Sequence, residues 1–204
     1  MSTGLWSMRR TSSPPVADPA DEELVRRFLG GDRSAFGTLV ERHERRVYNL
    51  AYRMLGRPED ADDATQEVFV ICLRKLGGFQ GRSAFSTWLH RVALNVCYEG
   101  LRKRARERVA DQDEIEPPPD PDHADAAVAA ADVHRALQLV PDEFRAVLVL
   151  HDLQGVPYEE IAEALGAPVG TVKSRLHRGR VALGRVLRGE HQEGAAPSNL
   201  EETT

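Results

Sequence analysis

Lys173, Ser174, His177 and Arg178 recur at steps that place four polar side chains on one side of a helix. Their donors suit nucleic acid: Lys and Arg pair with guanine acceptors, and a serine hydroxyl bonds a base or a phosphate. Thr171, just ahead of them, can cap exposed helix amides or meet a phosphate. A second group, Phe79, Phe85 and Trp88, surrounds a loop containing Gly81 and Ser83 and is followed by Arg102, Lys103, Arg104, Arg106 and Arg108. Aromatics beside cations are what stacking on unpaired bases requires, at about 1–3 kcal/mol per base. Core packing is the competing reading for Phe85 and Trp88. A third group, Asp60, Asp62 and Asp63, is the one dense set of carboxylates ahead of the acidic joint. Asp62 and Asp63 adjoin, so on a helix they point in different directions and make a poor metal or acid–base pair. His177 has no second ligand at helical spacing. No catalytic residue, no metal and no cofactor is expected.

The elements that must hold these residues are helices. From Asp21 to Leu55 apolar residues recur at three- and four-residue steps, with a break at Gly30-Gly31-Asp32 and an end at Gly56-Arg57-Pro58. Pro58-Glu59-Asp60 opens a third helix, acids at its start and Arg74 and Lys75 near its close, stopped by Gly77-Gly78. Ser86 to about Arg108 reads as a fourth, with Trp88, Leu89, Val92, Val96 and Leu101 as its apolar side. Between Asp111 and Asp125 seven acids occur with no Lys or Arg, among Pro117, Pro118, Pro119 and Pro121, which forbid regular structure. Helix resumes near Ala126. Tyr158 to Leu165, closed by Gly166, then a helix from Gly170 with Val172 and Leu176 inward, has the size, glycine and stripe of a helix-turn-helix.

The fold class is therefore all-α: two small helical domains joined by an acidic, Pro-rich linker. The expected division is a disordered extension over 1–20, a first domain over 21–108, a flexible linker over 109–125, a second domain over 126–188 and a disordered tail over 189–204. The chain has 204 residues and a formal net charge of -5, which argues against simple DNA coating. Its cations are nevertheless focused: Lys173, Arg175, Arg178, Arg180, Arg185 and Arg188 follow one another without an intervening acid. Two cysteines, Cys72 and Cys97, are too few for a disulfide framework and read as reduced, buried packing. A reduced, cytoplasmic chain is the expectation from those two cysteines, and with no run of eighteen apolar residues no membrane span is expected.

Three segments in this order, DADDATQEVF from Asp60, FQGRSAFSTWLHRVALN from Phe79 and YEEIAEALGAPVGTVKSRLHRGR from Tyr158, resemble the extracytoplasmic-function group of bacterial RNA polymerase sigma factors. The resemblance runs from about Asp21 to Leu187 and covers regions 2 and 4 of that family. It implies a protein that binds core RNA polymerase, through the beta-prime clamp and beta flap, and directs initiation at promoters as a monomer within the holoenzyme. It places Asp62, Asp63, Gln66, Glu67 and Phe69 on the clamp. It gives Phe79, Gln80, Arg82, Ser83, Phe85, Trp88, Arg91, Asn95, Arg102 and Lys103 to the melted minus-ten element. It gives Thr171, Lys173, Ser174, His177 and Arg178 to the minus-thirty-five element. An anti-sigma factor, often membrane-bound, is the expected controlling partner.

Two other classes compete. A stand-alone regulator would bind an operator as a dimer, and would retard DNA without polymerase. A DNA-processing enzyme with a C-terminal helix-turn-helix would need a nucleophile or a convergent carboxylate cluster, and neither is evident.

Overall fold

The computed structural model describes residues 19–111 and 125–189. The expected tail beyond Gly189, the N-terminal extension up to Asp18, and most of the acidic linker lie outside the described residues. Among those described there are eight α-helices and no strand. They are α1 (Asp21–Leu29), α2 (Ser34–Leu55), α3 (Pro58–Lys75), α4 (Phe85–Asp111), α5 (Asp125–Gln138), α6 (Asp142–Leu148), α7 (Tyr158–Leu165) and α8 (Val169–Leu187). α4 runs on through 109–111 and α5 opens at Asp125, positions that the expected linker included.

In the first half α2 packs on α1, α3 and α4. Leu39, Val47, Leu50, Ala51 and Met54 of α2 meet Ala61, Val68 and Cys72 of α3 and Leu89, Val92 and Ala93 of α4 in one core. The start of α3 follows from Pro58, whose missing N–H costs nothing in the first turn, with Glu59 and Asp60 beside the positive helix end. Asp21 ties α1 to α2 by an ion pair to Arg42 and a 2.7 Å contact with His43 Nε2. In the second half α8 crosses α6 and α7, with Ile161, Val172 and Leu176 fully inside.

α4 is covered on two sides. Phe85, Leu89, Val92 and Val96 face the core of the first half, while Thr87, Arg91, Leu94 and Tyr98 lie at helical steps along another face, against which α7 packs. The two halves therefore touch, which the sequence pattern did not indicate. α5, α6 and the π-helical turn Val149–Leu153 also pack on α2.

Arg145 anchors that contact. It is 4% exposed, and its five N–H groups all find acceptors. Nε donates to Leu137 O at 2.8 Å, Nη1 to Met54 O at 2.5 Å and Gln138 Oε1 at 3.3 Å, and Nη2 to Gln138 O at 2.8 Å and Val140 O at 2.9 Å. Burial lowers its pKa, and the Asp142 carboxylate at 3.1 Å works the other way. A buried cation survives here because every donor is paired.

Candidate nucleic-acid interface

The helix-turn-helix is built as the pattern requires. Gly166 closes α7 at φ 63°, a left-handed conformation that a side chain would strain. The residue that permits close crossing is one the sequence did not single out. A Cβ at Gly179 would lie 2.9 Å from Leu148 Cγ and 3.2 Å from Phe144 O, so α8 can approach α6 only with glycine there. Val172 and Leu176 turn inward, and Lys173, Ser174, His177 and Arg178 are all exposed. Thr171 is half-buried, and its carbonyl accepts a 2.9 Å bond from Ser174 Oγ. No side chain caps the start of α8, so Thr171 does not serve as the N-cap.

The cations of α8 divide into committed and uncommitted. Arg175 pairs with Glu143 at 3.0 Å and Arg180 makes two bonds to Asp152, at 2.9 and 2.6 Å. Lys173 lies over the Tyr158 ring, 5.5 Å from its centroid, and has no carboxylate partner among the described residues; neither has Arg178. Lys173 and Arg178, near the N-terminal end of α8, thus stand on its exposed face without an acidic partner among the described residues.

In the first half the structure separates the expected aromatic set. Phe79 and Trp88 are half-buried, their rings 5.5 Å apart, at the edge of the loop where Gly81 turns with φ 64°. Gln80, Arg82 and Asn95 are exposed, Ser83 partly so, and Arg102 and Lys103 point to solvent. Phe85 departs from its expected place beside the base pocket. It is 0% exposed, edge-on to His43 at 5.4 Å, and supports Phe79 and Trp88 from beneath. It is a core residue because it opens α4 on the side facing α2. Phe85→Ala is expected to cost about 3–5 kcal/mol of stability, read as a lower urea midpoint. An unchanged midpoint would return Phe85 to a surface role.

On α3, Asp62, Asp63, Gln66 and Glu67 are exposed on the outward face. Phe69, expected among them, is instead in the core at 9% exposure, one helical position too far round. The apolar part of the face falls to residues the sequence pattern passed over, Val70 and Leu73, at 44% and 49% exposure. Arg91 is exposed but donates to Glu163 O of α7 at 2.6 Å. Cys72 and Cys97 are both fully buried, and burial pushes each thiol up to about 12, which suits packing rather than redox control.

These features define a two-domain helical DNA reader with a separate acidic and apolar face. The Sigma-70 region 2 family model matches residues 39–107, and the Sigma-70, region 4 model matches 130–183. The chain is 40% identical over 190 residues to the ECF RNA polymerase sigma factor SigE of Mycolicibacterium smegmatis, covering 87% of this chain and 73% of that one. It is 33% identical over 180 residues to SigW of Bacillus subtilis, covering 82% and 96%. Among solved structures it is similar to CnrH in complex with the cytosolic domain of CnrY, with TM-score 0.64 and 27% identity over 85% of this chain and 100% of that one. The chain belongs to the extracytoplasmic-function sigma factors, which direct RNA polymerase to promoters.

Proposed function

We propose that the outward face of α3 docks on the beta-prime clamp of core RNA polymerase while the two domains read separate promoter elements, the second domain also resting on the beta flap. The observation that carries this is the division of surfaces. The α3 face presents four polar or acidic residues with Val70 and Leu73 exposed among them, whereas the α8 face presents Lys173 and Arg178. Acids repel phosphate, and adjacent exposed aliphatics mark a protein contact. Phe79 and Trp88 offer stacking surface for bases of the melted minus-ten element, with Gln80, Arg82, Ser83 and Asn95 at the rim and Arg102 and Lys103 on the backbone. Lys173, Ser174, His177 and Arg178 read the minus-thirty-five element in the major groove.

Control by an anti-sigma factor belongs to the same proposal; CnrH, similar in structure, is seen in complex with the cytosolic domain of a second protein, CnrY. No described helix is long and apolar enough to cross a membrane; a cytoplasmic chain that a membrane-bound partner can hold fits this reading.

The test is whether the purified chain retards promoter DNA only with core polymerase present. Val70→Asp combined with Leu73→Asp is expected to weaken core polymerase binding at least roughly tenfold while leaving the melting curve unchanged, because both side chains are half exposed. Full binding by that variant would move the docking face elsewhere.

A further inference from the structure

We propose that Tyr158, the first residue of α7, is a positioning residue for base reading: its ring, held by His151, fixes the Lys173 ammonium on the exposed face of α8. This rests on the minus-thirty-five assignment given to Lys173 above. A lysine side chain loses much rotamer freedom when it settles on one target, so a reader gains if something fixes it beforehand. No ion pair does so here, because Lys173 is exposed and has no carboxylate partner among the described residues. Its Nζ lies instead over the Tyr158 ring, 5.5 Å from the centroid, within the range at which the negative ring face attracts a cation.

The ring is itself fixed. The His151 imidazole stacks on Tyr158, centroids 4.3 Å apart and planes 22° apart. His151 Nδ1 lies 3.0 Å from Val156 O, and a carbonyl only accepts, so Nδ1 carries the proton and donates. Val156 N donates to Leu150 O at 2.9 Å, which ties the strand of chain entering α7 back onto the π-helical turn Val149–Leu153. That turn sends neighbouring residues into both helices of the helix-turn-helix: His151 onto Tyr158 of α7, and Asp152 onto Arg180 of α8. Single π-helical turns are often found at functional sites. Packing accounts for a large apolar side chain at the half-buried position 158, but not for an aromatic one. A leucine would cover the same neighbours and offer an ammonium no ring face.

The test uses holoenzyme and run-off transcription from competing promoters, altered one base pair at a time across the minus-thirty-five element. The position whose preference Lys173→Ala flattens is the one Lys173 reads. Tyr158→Leu is expected to weaken the preference at that position about twofold to fivefold, the worth of one exposed cation–π contact, and to spare the other positions. Tyr158→Phe keeps the ring and is expected to keep the preference. In a Lys173→Ala background, Tyr158→Leu should cost that position nothing more. An equal loss on every promoter overturns the proposal, because packing or a phosphate contact acts on all sequences alike. So does a loss with Tyr158→Phe, which would give the role to the hydroxyl.

A second readout needs no leucine variant. The chain has three lysines, Lys75, Lys103 and Lys173, so carbon-13 lysine labelling gives three Cε signals, and Lys173→Arg identifies one by its loss. In the free chain the Lys173 Cε protons are expected upfield of the other two, shifted by the ring face, in the original and in Tyr158→Phe. Coincidence with Lys75 and Lys103 overturns the positioning. A position flattened by Lys173→Ala but untouched by Tyr158→Leu overturns the positioning alone. If Lys173→Ala flattens no position, the base-reading assignment fails and the positioning falls with it.

Discussion

Arg145→Ala is expected to destabilise the chain by about 3–5 kcal/mol, the range for stripping one partner from a buried charged network. Arg145 is 4% exposed and serves five acceptors, four of them backbone carbonyls at Leu137, Gln138, Val140 and Met54. Removing the guanidinium leaves those carbonyls without partners and opens a void between α5, α6 and the end of α2. Arg145→Lys should rescue little, because an ammonium has three donors and no planar fork to span acceptors on two sides. For a chain of this size, 1 kcal/mol moves Tm by about 2–4 °C, so the expected fall is about 6–20 °C by calorimetry. A fall equivalent to less than about 1 kcal/mol would mean that water replaces the guanidinium at those carbonyls.

Lys173→Ala with Arg178→Ala is expected to abolish promoter-directed transcription without touching stability. Each good base contact is worth about 1–3 kcal/mol, so each single change should cost about fivefold to a hundredfold in promoter use. Both side chains are exposed and lack a carboxylate partner among the described residues, so the melting curve should stay within about 0.5 kcal/mol of the original. Arg180→Ala is the contrast. Its guanidinium is already bonded to Asp152, and its loss should affect DNA reading less. Equal losses from Arg178→Ala and Arg180→Ala would show that α8 supplies general positive charge rather than a recognition face.

The helices and the helix-turn-helix were legible because each has one buried face and a clear stop. Gly30-Gly31, Gly56, Gly77-Gly78 and Gly166 all fall at helix ends, as the pattern had them. The outward placement of Lys173, Ser174, His177 and Arg178 was legible for the same reason: fixing Val172 and Leu176 inward fixes these four outward. Phe69 and Phe85 were misplaced because aromatic type does not say which way a side chain points. A single helical step separates Phe69 in the core from Val70 on the surface. α4 hid its second buried face, since a helix covered on two sides has no wide polar side to set off an apolar stripe. The bonds that Gln138 and Arg145 donate to Arg53 O and Met54 O at the end of α2 join residues far apart in sequence, and no local pattern announces them. Gly179 likewise reads as an ordinary helical glycine until α6 lies against it.

Run-off transcription with purified core polymerase tests the central claim most directly. With the chain added, discrete transcripts should start downstream of a promoter carrying both elements, and disappear with Lys173→Ala/Arg178→Ala or with Val70→Asp/Leu73→Asp. Core polymerase alone should give none. Tight, specific promoter binding by the chain without polymerase, and transcript levels indifferent to its addition, would contradict the account and favour a stand-alone regulator.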